Sequence, residues 1–251
     1  MTAGGTSVAG ARPEGASDEQ SSAAAVRQMF NSIAPRYDLL NHVLSCNIDR
    51  IWWNRTARRF RHILAKPHAS VLDICCGTGD MTLALLRRRP AGAIPILAAD
   101  FSHAMLARGT QKFHDQNAVA IEADALHLPI PGNSLDLTTS AFGFRNLANY
   151  ESGLREFHRV LKSGGELGIL DFSEPGGIVG KLYAFYFRSI LPAIGARLSG
   201  MGSAYSYLPA SVQRFPPPAQ MVKWMERVGF TQVSWTPYTF GIAGLYRGVK
   251  A

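Results

Sequence analysis

The stretch Val71-Leu-Asp-Ile-Cys-Cys-Gly-Thr-Gly-Asp80 constrains this chain more than any other: an apolar run, a glycine turn, then a helical pattern. That order opens a βαβ unit. Gly77 and Gly79 let the backbone approach a ligand with no Cβ in the way, at the carboxyl edge of the first strand, where open α/β sheets bind ligands. The rest of the chain keeps the rhythm. Apolar runs at 94–99, 119–121, 135–139 and 167–170 alternate with helical patterns, as in a largely parallel sheet. Leu154, Phe157 and Leu161 mark one face of a helix that Gly164 and Gly165 should end, and 221–228 reads as a helix closed by Gly229. Residues 231–235 and 241–249 read as a closing hairpin. At 251 residues, 47% of them apolar and 18% charged, the chain suits one packed α/β domain with extra elements rather than a disordered polymer.

Three segments lie outside that rhythm. Residues 1–22 are rich in Ala, Gly and Ser, lack the basic start and apolar stretch of a signal peptide, and read as a disordered tail. Residues 23–66 read as N-terminal helices: Val26, Met29, Phe30 and Ile33 recur at helical spacing up to Pro35. A second helix at 49–64 carries Asp49 as its expected cap, Trp52 and Trp53, and arginines at 50, 55, 58, 59 and 61. The α/β domain proper is 67–251, with a helical lid inserted at about 178–218, where strand rhythm is lost. Lys181, Arg188 and Arg197 interrupt the apolar stretch at 178–198, short of the roughly 20 uncharged residues of a membrane span. Cys46, Cys75 and Cys76 make neither a disulfide framework nor a zinc spacing, so a cytoplasmic setting is expected.

The acids around the turn decide the ligand's chemistry. A dinucleotide site normally shows Gly-x-Gly-x-x-Gly, with a helix N-terminus facing a pyrophosphate, but position 82 here is Thr and the turn is flanked by Asp73 and Asp80. Carboxylates repel pyrophosphate and favour the ammonium and sulfonium groups of S-adenosylmethionine. Asp100 ends the second strand, where its two oxygens can accept from both ribose hydroxyls, and Asp124 follows the third, within reach of an adenine amino group. Either acid alone would read as a helix cap.

These residues resemble the class I S-adenosylmethionine-dependent methyltransferases. The resemblance implies a Rossmann-like α/β fold: a seven-stranded, mostly parallel sheet with helices on both faces, an N-terminal helical extension and the inserted lid. It also implies a cofactor set of Asp73, Gly77, Thr78, Gly79, Asp100, Phe101, Asp124, Ala125 and Ala141, with S-adenosylmethionine as methyl donor and no metal.

Three further segments bear on the acceptor: Tyr37-Asp-Leu-Leu-Asn-His-Val-Leu-Ser45 with Asp49-Arg-Ile-Trp-Trp53, Phe142-Gly-Phe-Arg-Asn146, and Arg159-Val-Leu-Lys-Ser-Gly-Gly165 leading to Leu170-Asp-Phe-Ser-Glu-Pro175. They are similar to the quinone C-methyltransferases of menaquinone and ubiquinone biosynthesis. The likeness continues through Tyr205 to Ser211, Phe215-Pro216 and Gly229-Phe230. Asp171 stands where that family usually has Glu, and Ala141 where Ser is frequent. The implied reaction is methylation of a ring carbon of a polyprenylated quinol, demethylmenaquinol before the benzoquinol of the ubiquinone route. A quinone ring is electron-poor, so the substrate should be the reduced quinol, positioned in line and relieved of a hydroxyl proton.

Arg145 and Asn146, just past the fourth strand, are the first catalytic candidates, Arg145 as a stabiliser of developing phenolate; Tyr37 and Asp38 follow if the N-terminal helices fold over the pocket. His42 and His127 are weaker candidates for the proton acceptor. The expected partners are the quinol, an anionic membrane surface suited to the net charge of +8, and, as an option, a second copy of the chain. The arginines and tryptophans at 50–61 would face that membrane, Tyr183, Phe185, Tyr186 and Phe187 would line a groove for the prenyl tail, and the expected location is cytoplasmic, peripheral on the inner membrane face. A nucleic-acid methyltransferase would need an Asn-Pro-Pro-Tyr type motif, which the chain lacks. A non-catalytic quinone- or lipid-binding protein is the remaining alternative.

Overall fold

The computed structural model describes residues 9–13, 15–37, 47–177, 180 and 202–251; the side chains of residues 36, 202–206 and 208 are not described. Its centre is one seven-stranded sheet: β1 (Val71–Ile74), β2 (Ile96–Asp100), β3 (Ala118–Glu122), β4 (Leu135–Ala141), β5 (Leu161–Phe172), β6 (Phe230–Tyr238) and β7 (Ala243–Lys250). The spatial order is β3-β2-β1-β4-β5-β7-β6. The pairings from β3 through β5 are parallel, and β7 runs antiparallel to both β5 and β6, which gives the expected closing hairpin. The order reverses at β1, so the crevice beyond its carboxyl end is the topological switch point.

Alternation along each strand assigns the helices to faces. Leu72 and Ile74 of β1 join one core with Leu154 and Phe157 of α6 (Tyr150–Val160) and with Met221 and Met225 of α8 (Pro218–Val228). Val71 faces the opposite core with Trp52, Trp53 and Ala57 of α2 (Ile48–Arg59), Ile63 of α3 (Arg61–Leu64) and Met81 and Leu85 of α4 (Asp80–Leu86). On that side α5 (His103–Lys112) supplies Leu106, which packs with Phe113 and Ala98. Phe60, fully buried, lies so close over β5 that a Cβ at Gly168 would come within 2.5 Å of its ring. Trp52 packs beside Phe172 at the carboxyl end of β5. With Phe60 over Gly168, this places α2 antiparallel to β5.

Several expected boundaries move. The expected tail gives way at its carboxyl end: α1 (Glu19–Ile33) starts inside it, capped by Asp18, whose carboxylate accepts from Ser21 N at 2.7 Å. Residues 9–13 also dock, with Ala11 N donating to Leu147 O and Tyr150 N to Ala9 O. Asp49 is not the cap of α2. Asn47 holds that position in a left-handed conformation, while Asp49 is buried and accepts from Arg50 N. Helix α6 ends at Val160, before the glycines, and β5 takes in the polar residues 162–166, with Gly164 at φ 76°. Within the expected lid, α7 (Gly202–Arg214) is helical; Asp38, His42, Cys46, the aromatics Tyr183, Phe185, Tyr186 and Phe187, and most of 178–201 lie outside the described residues.

Candidate active site

The glycine turn is built by bending the chain sharply. Cys75, Gly77 and Gly79 all take positive φ (55°, 55° and 86°), a region costly for Cys75 and open to glycine. Cys76 N donates to Ala99 O, and Gly77 N donates to Asp100 Oδ2 at 2.8 Å, so the turn is tied to β2. A Cβ on Gly77 would project into open space, with Tyr37 Cε1 its nearest neighbour at 3.9 Å; one on Gly79 would strike the Phe113 ring at 2.7 Å. Gly77 therefore keeps room for a ligand, and Gly79 makes room for the protein's own packing.

Thr82, where a dinucleotide turn would have glycine, has a structural task. Its hydroxyl donates to Asp73 Oδ2 at 2.7 Å, and the Thr139 hydroxyl donates to Oδ1 at 3.0 Å. Asp73 is fully buried beneath the turn, and burial pushes its carboxyl up to about 7 despite those two donors.

Above the turn opens a cleft of about 660 Å³ of empty space, its mouth included. One wall carries Asp100, Phe101, Ala123, Asp124, Ala125 and Leu126; the other carries Ala141, Phe142, Gly143 and Asn146; and Ala23, Phe30 and Tyr37 reach it from the N-terminal segment. Asp100 Oδ1 also accepts from Ser102 N at 2.9 Å. Burial raises its carboxyl to about 6, against the pull of those amides and, more weakly, of Arg27, whose guanidinium lies 5.4 Å from the Phe101 ring centre. Each Asp100 oxygen keeps a second acceptor position, which suits a vicinal diol. Asp124 Oδ1 accepts from Leu126 N at 2.9 Å, its Oδ2 lies 3.6 Å from the mostly exposed His127 ring, and the neighbouring Ala125 and Leu126 offer apolar surface to a flat base. With the open cradle at Gly77, this donor and acceptor set fits an aminoacyl nucleoside. Asn31 of α1 fastens the cover: its Oδ1 accepts from Ser102 Oγ at 2.7 Å.

Eight of the sequence candidates thus meet at one cleft: Tyr37, Gly77, Asp100, Phe101, Asp124, Ala125, Ala141 and Asn146. Others do not line it. Asp73 lies beneath the turn, Gly79 is packed under Phe113, and Thr78 is buried with its hydroxyl 3.1 Å from Lys112 Nζ, which also pairs with Asp80 at 3.2 Å.

Arg145, the first catalytic candidate, also points away from the cleft lining. It is 6% exposed, and Nη1 donates to Asp171 Oδ1 at 2.9 Å and to the Phe142 carbonyl, while Nε donates to Ser211 Oγ at 3.4 Å. Its backbone N–H donates to Asp171 Oδ2 at 3.0 Å, and its guanidinium lies over the Phe172 ring. Burial works against that charge, but the Asp171 carboxylate outweighs it and holds the guanidinium above its ordinary range. These contacts make Arg145 a clamp on the loop after β4.

Sequence reasoning missed the partners of this clamp and the aromatic wall. Tyr207 OH donates to Asn146 Oδ1 at 3.1 Å and Asn146 Nδ2 donates to the Phe142 carbonyl at 3.4 Å, which leaves the second amide N–H of Asn146 as a donor at the cleft. Burial raises the Tyr207 phenol to about 12, so it stays a donor. Phe142, Phe172 and Trp52 stack within 4.6 to 6.1 Å of one another. An acid at 171 inside an apolar strand was the one visible sign of the clamp. Among the described residues no group of three or more His, Cys, Asp or Glu side chains is gathered as a metal site, and no helix is long and apolar enough to cross a membrane.

Comparison with solved structures agrees with this architecture. A SAM-dependent methyltransferase from Aquifex aeolicus superposes with a TM-score of 0.58 at 16% identity, covering 78% of this chain and 89% of that one. One from Thermotoga maritima gives 0.62 at 15% identity, with 90% and 100% covered. Such distant likenesses establish the fold alone. Relatives in sequence go further. The chain is 44% identical over 236 residues to the demethylmenaquinone methyltransferase of Deinococcus radiodurans, covering 93% of this chain and 95% of that one. It is 42% identical over 223 residues to the enzyme of the same name from Thermus thermophilus, with 88% and 99% covered. It is 41% identical over 230 residues to the ubiquinone/menaquinone biosynthesis C-methyltransferase UbiE of Geotalea daltonii, with 90% and 96% covered. The profile described as the ubiE/COQ5 methyltransferase family matches residues 16–250, nearly the whole chain and both walls of the cleft, and the chain belongs to that family.

Proposed function

We propose that this chain is an S-adenosylmethionine-dependent C-methyltransferase that converts demethylmenaquinol to menaquinol at the inner face of the cytoplasmic membrane. The observation that carries the reading is one cleft with two chemistries: Asp100 and Asp124 on the wall suited to the nucleoside, and Tyr37, Phe142 and Asn146 on the side open to an acceptor.

S-adenosylmethionine supplies an electrophilic methyl group on sulfur. The protein's part is positioning and polarity. Asp100 accepts from the ribose hydroxyls, Asp124 takes the adenine edge, and Gly77 leaves the backbone open beside the reacting chain. Tyr37 and the Asn146 amide, held by Tyr207, hydrogen-bond the quinol oxygens, and Phe142 supports the ring face. As a hydroxyl proton is drawn away, the ring carbon gains electron density and takes the methyl. The ring hydrogen then leaves to water as a proton and the hydroxyl takes a proton back, so one proton is released for each methyl transferred and the product is the neutral quinol. Asp38 completes the acceptor set as a carboxylate next to Tyr37. Domains follow the same division: the start of the N-terminal segment 23–66, through Ala23, Phe30 and Tyr37, over the cleft, and the methyltransferase domain at 67–251. The basic charge serves an anionic membrane surface.

Expression in a bacterium lacking its own quinone methyltransferase, with quinones read by mass spectrometry, tests the assignment. Menaquinone restored without ubiquinone is the expected result. Restoration of both widens the acceptor to the benzoquinol, and restoration of neither overturns the proposal.

A further inference from the structure

The turn between β6 and β7 is contorted in order to hold an aromatic ring in solvent. Thr239, Phe240 and Gly241 take positive φ in succession (44°, 57° and 88°), a conformation unfavourable for the first two, and yet Phe240 is 82% exposed. Backbone strain that brings no burial points to a task outside the fold. Beside this turn, Trp52 Nε1 donates to Thr239 Oγ1 at 2.8 Å, which sets the start of α2 against it. The neighbouring Ile51 is 64% exposed; among the described residues only Val119 and Ile94 follow as exposed large hydrophobics, at 46% and 37%. Ile51 and Phe240, the exposed neighbours in sequence of the two residues that this hydrogen bond joins, mark out an apolar tip.

Charge surrounds that tip. Arg50 and Arg55 are exposed, and the Arg55 guanidinium lies 4.4 Å from the ring centre of Tyr238, the last residue of β6. Residues 50–61 contain no acid. Because α2 runs antiparallel to β5, its start lies at the carboxyl edge of the sheet, the edge at which the cleft opens. Trp52 connects the two places: it packs 5.8 Å from Phe142, which lines the cleft. The same geometry corrects the sequence expectation for this helix. Trp52 and Trp53 are buried and unavailable to a membrane, and Arg59 lies about 12 Å further down the helix from Ile51.

We propose that Phe240 and Ile51, with Arg50 and Arg55, form a docking tip for an anionic lipid bilayer. The two apolar side chains enter the boundary between headgroups and acyl chains, the arginines pair with lipid phosphates, and the cleft faces the lipid. A prenyl tail leaving the cleft past Phe142 then emerges beside the tip. This last step rests on the proposed quinol substrate; the docking does not.

The test is co-sedimentation of the full chain with phosphatidylcholine vesicles, with and without phosphatidylglycerol, alongside turnover of a short-tailed naphthoquinol in solution. The wild-type chain should bind the anionic vesicles and release them as salt rises. Phe240→Ser should bind about tenfold more weakly, and Arg50→Gln and Arg55→Gln about fivefold each, since a basic residue near such a surface contributes on that order. Arg59→Gln should matter less. All four variants should retain the melting temperature and the short-tail turnover of the wild type. The proposal is overturned if Phe240→Ser and Ile51→Ser bind as the wild type does, or if neutral vesicles bind as well as anionic ones. Docking lost in Phe240→Ser upholds it even if no quinol is methylated, an outcome that removes the proposed substrate instead.

Discussion

Replacing Arg145 with methionine removes the charge that neutralises Asp171 and keeps most of the volume. Asp171 is fully buried and accepts from three donors: Arg145 Nη1 at 2.9 Å, Arg145 N at 3.0 Å and Phe172 N at 2.8 Å. The variant leaves two amide donors and no countercharge. Breaking a buried ion pair from one side costs about 3–5 kcal/mol. A domain of this kind holds about 5–15 kcal/mol in total, so the variant should fold with a much smaller margin. Burial already raises the Asp171 carboxyl against the pull of Arg145, and the loss of Arg145 raises it further. The sign follows: a carboxyl whose folded pKa lies above its unfolded value, near about 3.9, contributes stability that is complete at low pH and is lost as pH rises through the folded pKa. The cost of Arg145→Met should therefore be larger at about pH 8 than at about pH 5. Asp171→Asn in the same chain removes the stranded charge and should recover most of the loss. Urea unfolding of the wild type, the single variant and the double variant, followed by tryptophan fluorescence, measures each value. The clamp is refuted if Arg145→Met costs less than about 1 kcal/mol, the range of an exposed pair, or if the double variant is no more stable than the single one.

Further expectations follow from the same coordinates. Asp73, at about 7, binds its proton more tightly folded than unfolded, so its contribution to stability fades as pH rises from about 4 through 7. Asp73→Asn should flatten that part of the urea midpoint profile, and an unchanged slope would count against the buried carboxyl. Asp100→Asn should weaken S-adenosylmethionine by about tenfold to a hundredfold, the worth of a hydrogen bond to a charged group, in a calorimetric titration. Because the diol favours the carboxylate, wild-type affinity should also fall as pH drops below about 6, with proton release on binding there. Gly168→Ala would drive a methyl into the Phe60 ring and should cost about 1–3 kcal/mol by thermal or chemical unfolding.

Strand positions were legible because buried parallel strands are short apolar runs: 71–74 matched β1 at both ends, and the others differed mainly in length. What periodicity could not show was where polar residues join an element. Lys162 to Glu166 are strand because Glu166 pairs with Arg247 of the adjacent β7 and with His62, contacts remote in sequence. The start of α1 was hidden by the Ala- and Ser-rich composition before it, although Asp18 and Ser21 form a reciprocal cap. At the site, the acids at the ends of two strands, Asp100 and Asp124, line the cleft as their positions in sequence suggested. Asp73 reads the same way in sequence, and its place beneath the turn, with Thr82 and Thr139 closing over it, could not be read there. Arg145 is a related case: sequence shows a lone arginine past a strand, and its buried counterion Asp171 is visible only in the fold.

The central claim is that this cleft methylates a ring carbon of a reduced quinone. The direct measurement is mass spectrometry of the product after incubating the purified chain with S-adenosylmethionine and a demethylnaphthoquinone, with and without a chemical reductant. A ring C-methyl product should form only in the reduced sample and should be lost in Asp100→Asn. A methyl on oxygen, equal product without reductant, or no product from a chain that binds S-adenosylmethionine would contradict the claim.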